Sequence, residues 1–174
     1  MIHFDTERPA DAAAREDLLD RVMGRERLFK PSERLRRGRR PAEGLALVAR
    51  NDDGGLVGTV RLWHVKAGDA PALLLGPLAV DTDVQSEGVG SGLMRLAIAR
   101  AGMIGHAGII LVGDPEYYER FGFSADRTSG LMMPAPVDRR RFLGLELAPR
   151  SLVGATGLIV AAGETARAPL SLAA

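Results

Sequence analysis

The sequence predicts an α+β fold, an α/β sandwich in which helices flank a central mixed, largely antiparallel sheet. Three observations predict it. A helical pattern fills the first part of the chain, two strand patterns flank the turn sequence NDDGG, and a strand, a glycine-rich turn, a helix and a second strand follow near the middle. Since a helical crossover joins parallel strands, one pair of strands should be parallel within the sheet.

Length and composition set the class of protein. The 174 residues, 46% of them hydrophobic, suffice for one domain with a sizeable core. The net charge of +1 gives no reason to expect a nucleic acid or a membrane as partner, and no apolar run approaches the ~18 residues of a membrane span. The absence of cysteine excludes disulfides and cysteine nucleophiles, and three unclustered histidines argue against a metal site. We expect a single cytoplasmic domain over residues 1–174 with no metal.

Two helices are predicted in the first 40 residues. PADAAAREDLLDRVMG, residues 9–24, combines start signals with an apolar stripe and a terminal glycine. Residues 25–40 carry eight basic residues against two acids, and Pro31 and Ser32 suit the start of a short helix. Three interpretations of this basic segment stay open: a solvated helical face, a rim that attracts an anionic ligand, and a nucleic-acid surface.

Three strands should follow. GLALVAR and LVGTVRLWHV form a hairpin around NDDGG, and ALLLGPLAV, residues 72–80, is apolar enough to be buried on both faces. Gly76 and Pro77 interrupt this third strand. Because proline has no N–H to donate, the strand should bulge there and pair poorly on one side.

The rest of the chain alternates helices and strands. A helix begins in VQSEGVGSGLMRLAIAR and ends before the apolar strand AGIILVG, and DPEYYERFGF predicts a short helix closed by Gly122. Within residues 126–163 we expect a loop, LMMPAPVDRRR, and two strands, FLGLELAP and TGLIVAAG. Residues 164–174 should form a flexible tail.

The glycine-rich turn carries the most informative motif. Gln85, Gly88 and Gly90 form the pattern Q-x-x-G-x-G at a helix start, where unpaired N–H groups bind anions, although a tight turn without a ligand is the alternative. This motif, the bulged strand before it and the Y-x-x-x-G-F pattern in YYERFGF together resemble the GNAT superfamily of N-acyltransferases. The resemblance covers residues 1–125 in element order, and GTVRLW with LVGDPEYYERFGF is similar to its YhbS-like bacterial branch.

The resemblance implies that acetyl-CoA is the co-substrate. Its pantetheine arm would lie between two splayed parallel strands, and its diphosphate would meet the amides of the turn. The implied binding residues are Leu78, Ala79, Val80, Gln85, Ser86, Glu87, Gly88, Val89, Gly90 and Ser91. Glu87 departs from the basic or neutral residues of many members. It either weakens diphosphate binding by repulsion or compensates the helix dipole.

The implied reaction is direct acetyl transfer to a primary amine in a ternary complex. Alignment on Gly122 and Phe123 makes Tyr118 the general acid for the leaving thiolate, with Tyr117 or water as the alternative. No glutamate lies on the bulged strand to serve as general base. His64 is either a base or a surface residue, and His106 is expected to be structural.

The acceptor stays undefined. It is a small-molecule or peptide amine, and the methionines of GLMMPA either line its pocket or plug the core. A silent acyl-CoA-binding sensor is the alternative function, while nucleic-acid binding through residues 25–40 is not expected. Members of the family are often homodimers, so a homodimer is implied.

Overall fold

The computed structural model describes residues 1–166, which form one eight-stranded mixed sheet with helices on both faces. The strands are β1 (His3–Thr6), β2 (Ala46–Arg50), β3 (Leu56–Ala67), β4 (Ala70–Val80), β5 (Gly108–Val112), β6 (Leu131–Met132), β7 (Phe142–Glu146) and β8 (Gly157–Ala161). The α-helices of this part of the chain are α1 (Ala12–Met23), α2 (Glu33–Arg36), α3 (Val89–Ile104) and α4 (Pro115–Tyr118). None of the helices in residues 1–166 has the length and apolar character needed to cross a membrane.

The strand order confirms the predicted mixed, largely antiparallel sheet. The main path is β1-β2-β3-β4-β5-β7, in which only β4 and β5 are parallel. The long strand β3 pairs with β2 along its first half and with β8 along its last residues. The short strand β6 lies parallel to β8. The β4-α3-β5 crossover therefore forms the centre of the fold, as its sequence pattern predicts.

Three details differ from the sequence prediction. The chain begins with a strand and not with a helix, because HFDT pairs antiparallel with β2. The segment LMMPA was predicted to be a loop, but it contains β6. The first residues of the predicted tail are held by main-chain hydrogen bonds, from Arg40 N to Glu164 O and from Ala166 N to Gly38 O. The rest of that tail, residues 167–174, lies outside the described residues.

The two faces of the sheet have separate cores. On one face α3 packs Leu93 and Met94 against apolar side chains of the sheet. On the other, Leu35 of α2 joins Trp63 and Phe142 in a second buried cluster. Burial of this kind contributes roughly 25 cal/mol per Å² of apolar surface, so it is the main force holding the layers together.

The bulge predicted in β4 is present and is fixed by a buried hydrogen bond. The β3–β4 register shifts between Val60 and Leu62, opposite Gly76 and Pro77. The indole N–H of Trp63 donates to the Gly76 carbonyl over 2.6 Å. Beyond this point β4 and β5 separate, since their ladder contains only the pairs Leu73–Ile109 and Leu74–Ile110. A wedge therefore opens between two parallel strands at their carboxyl ends.

Candidate active site

The wedge continues into a cleft of about 680 Å³ that ends at the start of α3. Its floor is the main chain of β4 after the bulge, one wall is the turn before α3, and the other is α4. Side chains from the end of α1 complete the rim. The lining of the cleft includes Leu78, Ala79, Val80, Gln85, Ser86, Gly88, Gly90, Ser91, Tyr117 and Tyr118.

Nearly all of the residues implied by the family resemblance line this one cleft. The exceptions are the side chains of Glu87 and Val89. Glu87 is exposed outside the cleft, whereas Val89 is 1% exposed and belongs to the core beneath α3. Only the main chain of these two residues could therefore face a ligand in the cleft.

The three glycines of the turn have different physical roles. Gly88 has φ +76°, a left-handed conformation that L side chains rarely adopt, at the start of α3. A Cβ on Gly90 would lie 2.8 Å from the hydroxyl oxygen of Tyr117. A Cβ on Gly92 would overlap the ring of Phe4. Gly88 permits the left-handed turn into α3, Gly90 leaves room beside the Tyr117 hydroxyl, and Gly92 lets β1 pack against α3.

The first turn of α3 offers the cleft a set of unpaired amides. Helix geometry leaves its first N–H groups without intrahelical acceptors, and the aligned peptides add a partial positive charge. The turn is anchored from behind, because the Asp81 carboxylate pairs with Arg21 of α1 over 2.9 Å and caps the Asp83 N–H. These features fit a diphosphate group better than a cation.

Tyr118 lies on the α4 wall of the cleft. Asp114 caps α4 by accepting the Glu116 N–H, which places two adjacent tyrosines toward the wedge. Tyr118 rests on Gly113, where a Cβ would overlap its ring. Burial, with smaller contributions from Tyr117 and Asp114, raises the pKa of Tyr118 to about 12. The hydroxyl is therefore protonated throughout the physiological pH range.

Tyr117 points to a different part of the same cleft. Its hydroxyl reaches Gly90 at the start of α3, and the Arg120 guanidinium lies 4.8 Å from its ring centroid. The Tyr117 and Tyr118 rings meet edge to face at 4.9 Å. The two phenols are thus divided between the helix start and the interior of the wedge.

A second cavity, of about 180 Å³, lies on the other side of the bulge. Pro77 lines this cavity and the next residue, Leu78, lines the cleft, so the two spaces adjoin consecutive residues of β4. Its walls come from α1, the 3-10 turn Arg25–Phe29, α2 and β3. Its lining includes Glu16, Arg27, Glu33, Arg36, Arg61 and Trp63.

Ion pairs hold the walls of this cavity together. Glu7 receives a bidentate bond from Arg61, at 2.6 and 2.8 Å, and a further bond from Arg15. Glu16 accepts from both Arg15 and Arg27. Burial alone would raise the pKa of Glu16, but the bonds from Arg27 and Arg15 outweigh it and lower that pKa. Glu16 is consequently a poor proton acceptor.

Glu33 and Arg36 form a less complete pair. Arg36 Nε donates to Glu33 over 2.8 Å, and within residues 1–166 this is the one hydrogen bond of either side chain. The side chains are 15% and 7% exposed, respectively. Burial lowers the pKa of Arg36 despite the pull of Glu33 in the other direction.

Sequence reasoning missed these side chains because they come from segments that are distant along the chain. One available signal was the pair of acids, Glu26 and Glu33, in an otherwise basic segment. The structure also bears on the three interpretations of the basic segment 25–40. Arg27 and Arg36 are buried and paired, whereas Arg34 and Arg37 are exposed and fit a solvated face.

Of the two interpretations of His64, a base or a surface residue, the structure fits the surface residue. His64 pairs with Leu73 and shares a cavity with His106, their ring centroids 5.4 Å apart. That cavity includes none of the cleft residues. His64 is exposed on the face opposite Trp63, as strand alternation predicts, and it cannot serve the wedge.

The two methionines of GLMMPA separate between surface and core. Met133 is 6% exposed within the second core cluster, so it fits the interpretation as a plug. Met132 is 57% exposed on β6. Neither lines the cleft or the cavity at the bulge.

Comparisons with known proteins agree with this geometry. Residues 42–125 match the model of the acetyltransferase (GNAT) domain. The chain is 32% identical over 117 residues to the N-acetyltransferase YhbS of Escherichia coli (strain K12). The aligned segment covers 66% of this chain and 70% of that protein.

Solved structures extend the match over most of the fold. The crystal structure of Escherichia coli YhbS in complex with CoA has a TM-score of 0.77 and 28% identity, covering 92% of this chain and 89% of that one. A GNAT acetyltransferase from Brucella melitensis in complex with acetyl-CoA has a TM-score of 0.66 and 29% identity, covering 86% and 90%. The chain belongs to the GNAT family of acetyltransferases.

Proposed function

We propose that this enzyme transfers an acetyl group from acetyl-CoA to a primary amine at the bulge, which the cleft and the second cavity adjoin. The observation that carries the proposal is the bulge at Gly76 and Pro77, which separates an amide-lined cleft from a cavity lined by charged side chains. Each half suits one of the two substrates. The solved relatives that contain CoA or acetyl-CoA support the first assignment.

The residues of the cleft fit acetyl-CoA. Leu78, Ala79 and Val80 would offer main-chain groups to the amides of the pantetheine arm, because within residues 1–166 this part of β4 pairs with no strand on its wedge side. The amides from Gln85 to Ser91, including those of Ser86, Glu87, Gly88, Val89 and Gly90, would hold the diphosphate. When bound, the co-substrate supplies an acetyl thioester with a thiolate leaving group.

Tyr118 is proposed to act on the leaving sulfur. With a pKa of about 12, its hydroxyl is always available as a donor. Full proton transfer to a thiolate, whose conjugate thiol titrates near ~8.5, would be uphill by roughly 5 kcal/mol. We therefore assign Tyr118 as the hydrogen-bond donor that stabilises the developing thiolate, and its proton passes to sulfur only as a solvent proton replaces it, so that no free phenolate forms.

Glu33 is proposed as the base that takes the proton lost by the amine. It lines the cavity beside Pro77 and has a single arginine partner, whereas Glu16 is held ionised by two. Replacement by glutamine should lower kcat by ~10² at neutral pH, because the amide cannot take up the proton. Glu26→Gln, which changes the other acid of this segment outside the cavity, is the matched control. Equal losses in both variants would contradict the assignment.

The experiment that tests the function measures CoA release from acetyl-CoA with a panel of primary amines. An active enzyme releases CoA in proportion to acetylated amine. A silent acyl-CoA-binding module would instead bind acetyl-CoA, as calorimetry would detect, and release no CoA with any amine.

The cytoplasmic location and the homodimer stay proposals from sequence. The exposed apolar side chains of Met132, Leu158 and Val160 on β6 and β8 are compatible with self-association. Light scattering at micromolar concentration would give the mass of the particle, and a monomer at all concentrations would contradict the dimer.

A further inference from the structure

The terminal nitrogens of Arg36 face the second cavity and have no hydrogen-bond acceptor among residues 1–166. Among residues 1–166 the side chain makes one hydrogen bond, from Nε to Glu33, and its Nη1 lies 3.2 Å from the position of a Cβ on Gly76. Yet Arg36 is 93% removed from solvent, with a relative exposure of 7%. A guanidinium has five N–H donors, and those on the Nη atoms of Arg36 open onto the cavity, where a bound group can replace water as their acceptor.

The other arginines of the cavity differ in this respect. Arg61 is held by both oxygens of Glu7, and Arg15 by Glu7 and Glu16. Arg27 bonds Glu16 and Asp20. Arg37 also lines the cavity, but it is exposed and donates to the Leu28 carbonyl. Arg36 is therefore the buried arginine of the group whose terminal nitrogens have no carboxylate partner among residues 1–166.

The size and lining of the cavity define what could complete Arg36. Its ~180 Å³ corresponds to about six water molecules at ~30 Å³ each, which suits a small molecule better than a folded protein. Two terminal nitrogens of a guanidinium match the two oxygens of a carboxylate in a bidentate pair. The Glu33 carboxylate, next to Arg36, matches a neighbouring ammonium group.

From this arrangement, we propose that the acceptor is a small amino-carboxylate, bound through its carboxylate by Arg36 with its amino group beside Glu33. The inference rests on the proposed acetyltransferase function and specifies its substrate class. Arg36 is then a specificity residue for the acceptor and does not contact acetyl-CoA.

The test compares acceptors that differ in one group. Wild-type enzyme is assayed for CoA release with amino acids, with the corresponding amino-acid amides and with the corresponding decarboxylated amines. We expect kcat/KM to be about 10- to 100-fold higher for the carboxylates, as for other charged hydrogen bonds in partly buried sites. Equal or better turnover of the amides and amines would overturn the proposal. No CoA release with any acceptor would instead count against the acetyltransferase function itself.

Variants identify the residue responsible. Arg36→Gln should raise KM for the carboxylate acceptors about 10- to 100-fold and abolish the preference over the amides, while the KM for acetyl-CoA stays constant. Arg36→Lys keeps the charge beside Glu33, so it protects the fold and should retain part of the preference. Arg34→Gln, on the exposed side of the same helix, is the matched control. An unchanged carboxylate preference in folded Arg36→Lys and Arg36→Gln would overturn the assignment.

Discussion

The cleft and the second cavity lie on either side of the same bulge, but main-chain groups define the first and side chains define the second. The cleft is defined by main chain: separated strands, a helix start and glycines that leave room beside it. The cavity is defined by side chains from α1, α2 and β3 that are joined by ion pairs. A main-chain site suits a constant ligand, whereas a side-chain site can change with each acceptor.

The two regions adjoin the bulge, where the acetyl group is proposed to be transferred. The largest expected effect is therefore a loss of kcat when the donor to the leaving sulfur is removed. Tyr118→Phe should lower kcat by ~10² with little change in the affinity for acetyl-CoA, because it removes the donor to the leaving sulfur. Tyr117→Phe is the matched control, since its hydroxyl faces the start of α3. Steady-state kinetics of both variants would show which tyrosine hydroxyl contributes to kcat. A loss of kcat in Tyr117→Phe alone would exchange the roles of the two tyrosines.

The pH profile sharpens the same assignment. Because burial raises the pKa of Tyr118 to about 12, its hydroxyl stays protonated until the pH approaches that value. The kcat profile should therefore show no descending limb from Tyr118 below about pH 11. A descending limb near pH 9 that disappears in Tyr118→Phe would contradict the raised pKa.

Trp63→Phe tests whether the bulge supports both regions. The substitution leaves the buried Gly76 carbonyl without its donor, at a cost of about 1–3 kcal/mol in the free energy of unfolding. Urea unfolding would measure this loss. We also expect the KM values of acetyl-CoA and of the acceptor to rise together, since both sites adjoin the bulge. A rise in only one of them would show that the regions are independent.

Gly90→Ala tests the main-chain site alone. The new methyl group would crowd the Tyr117 hydroxyl at the start of α3, so the KM for acetyl-CoA should rise about tenfold, near the lower end of overpacking costs. Gly102→Ala lies in the same helix with no atom within 4 Å of the added Cβ, and it should leave the KM unchanged. Similar KM values for Gly90→Ala and wild type, measured with saturating acceptor, would mean that the diphosphate lies elsewhere.

The smallest effect is expected from Glu87→Arg. Glu87 is exposed and its side chain lies outside the cleft, so its interaction with a bound diphosphate is screened by water. The Kd for CoA, measured by calorimetry at low and high salt, should change by less than about threefold. A tenfold tightening at low salt would show that the acid does face the phosphates.

The difference between the regions also explains what could be predicted from sequence. Gln85, Gly88 and Gly90 follow one another closely, and Pro77 marks the bulge just before them. Because these residues are neighbours in the sequence, the main-chain half of the site can be predicted from its motifs. Its strands and the central helix were predicted for the same reason, since each has its own periodicity. Strand β1 was missed because four residues of mixed polarity carry no clear period.

The side-chain half could not be found in this way. Glu7, Glu16 and Glu33 are far apart in sequence, and their ion pairs come together around β3 only because α1 and α2 fold over the sheet. In the absence of that information, His64 was the nearest candidate base along the chain. Strand alternation correctly placed His64 on the face opposite Trp63. To exclude His64 as the base, one also had to know that the wedge opens at the carboxyl end of β4, whereas His64 pairs with Leu73 near the other end of that strand.

A crystal structure of the protein with CoA tests the central claim most directly. The diphosphate should accept hydrogen bonds from the amides at the start of α3, and the CoA sulfur should lie within hydrogen-bond distance of the Tyr118 hydroxyl, beside Pro77 and Leu78. A diphosphate bound away from α3, or a sulfur directed at Tyr117 and away from the second cavity, would contradict the account.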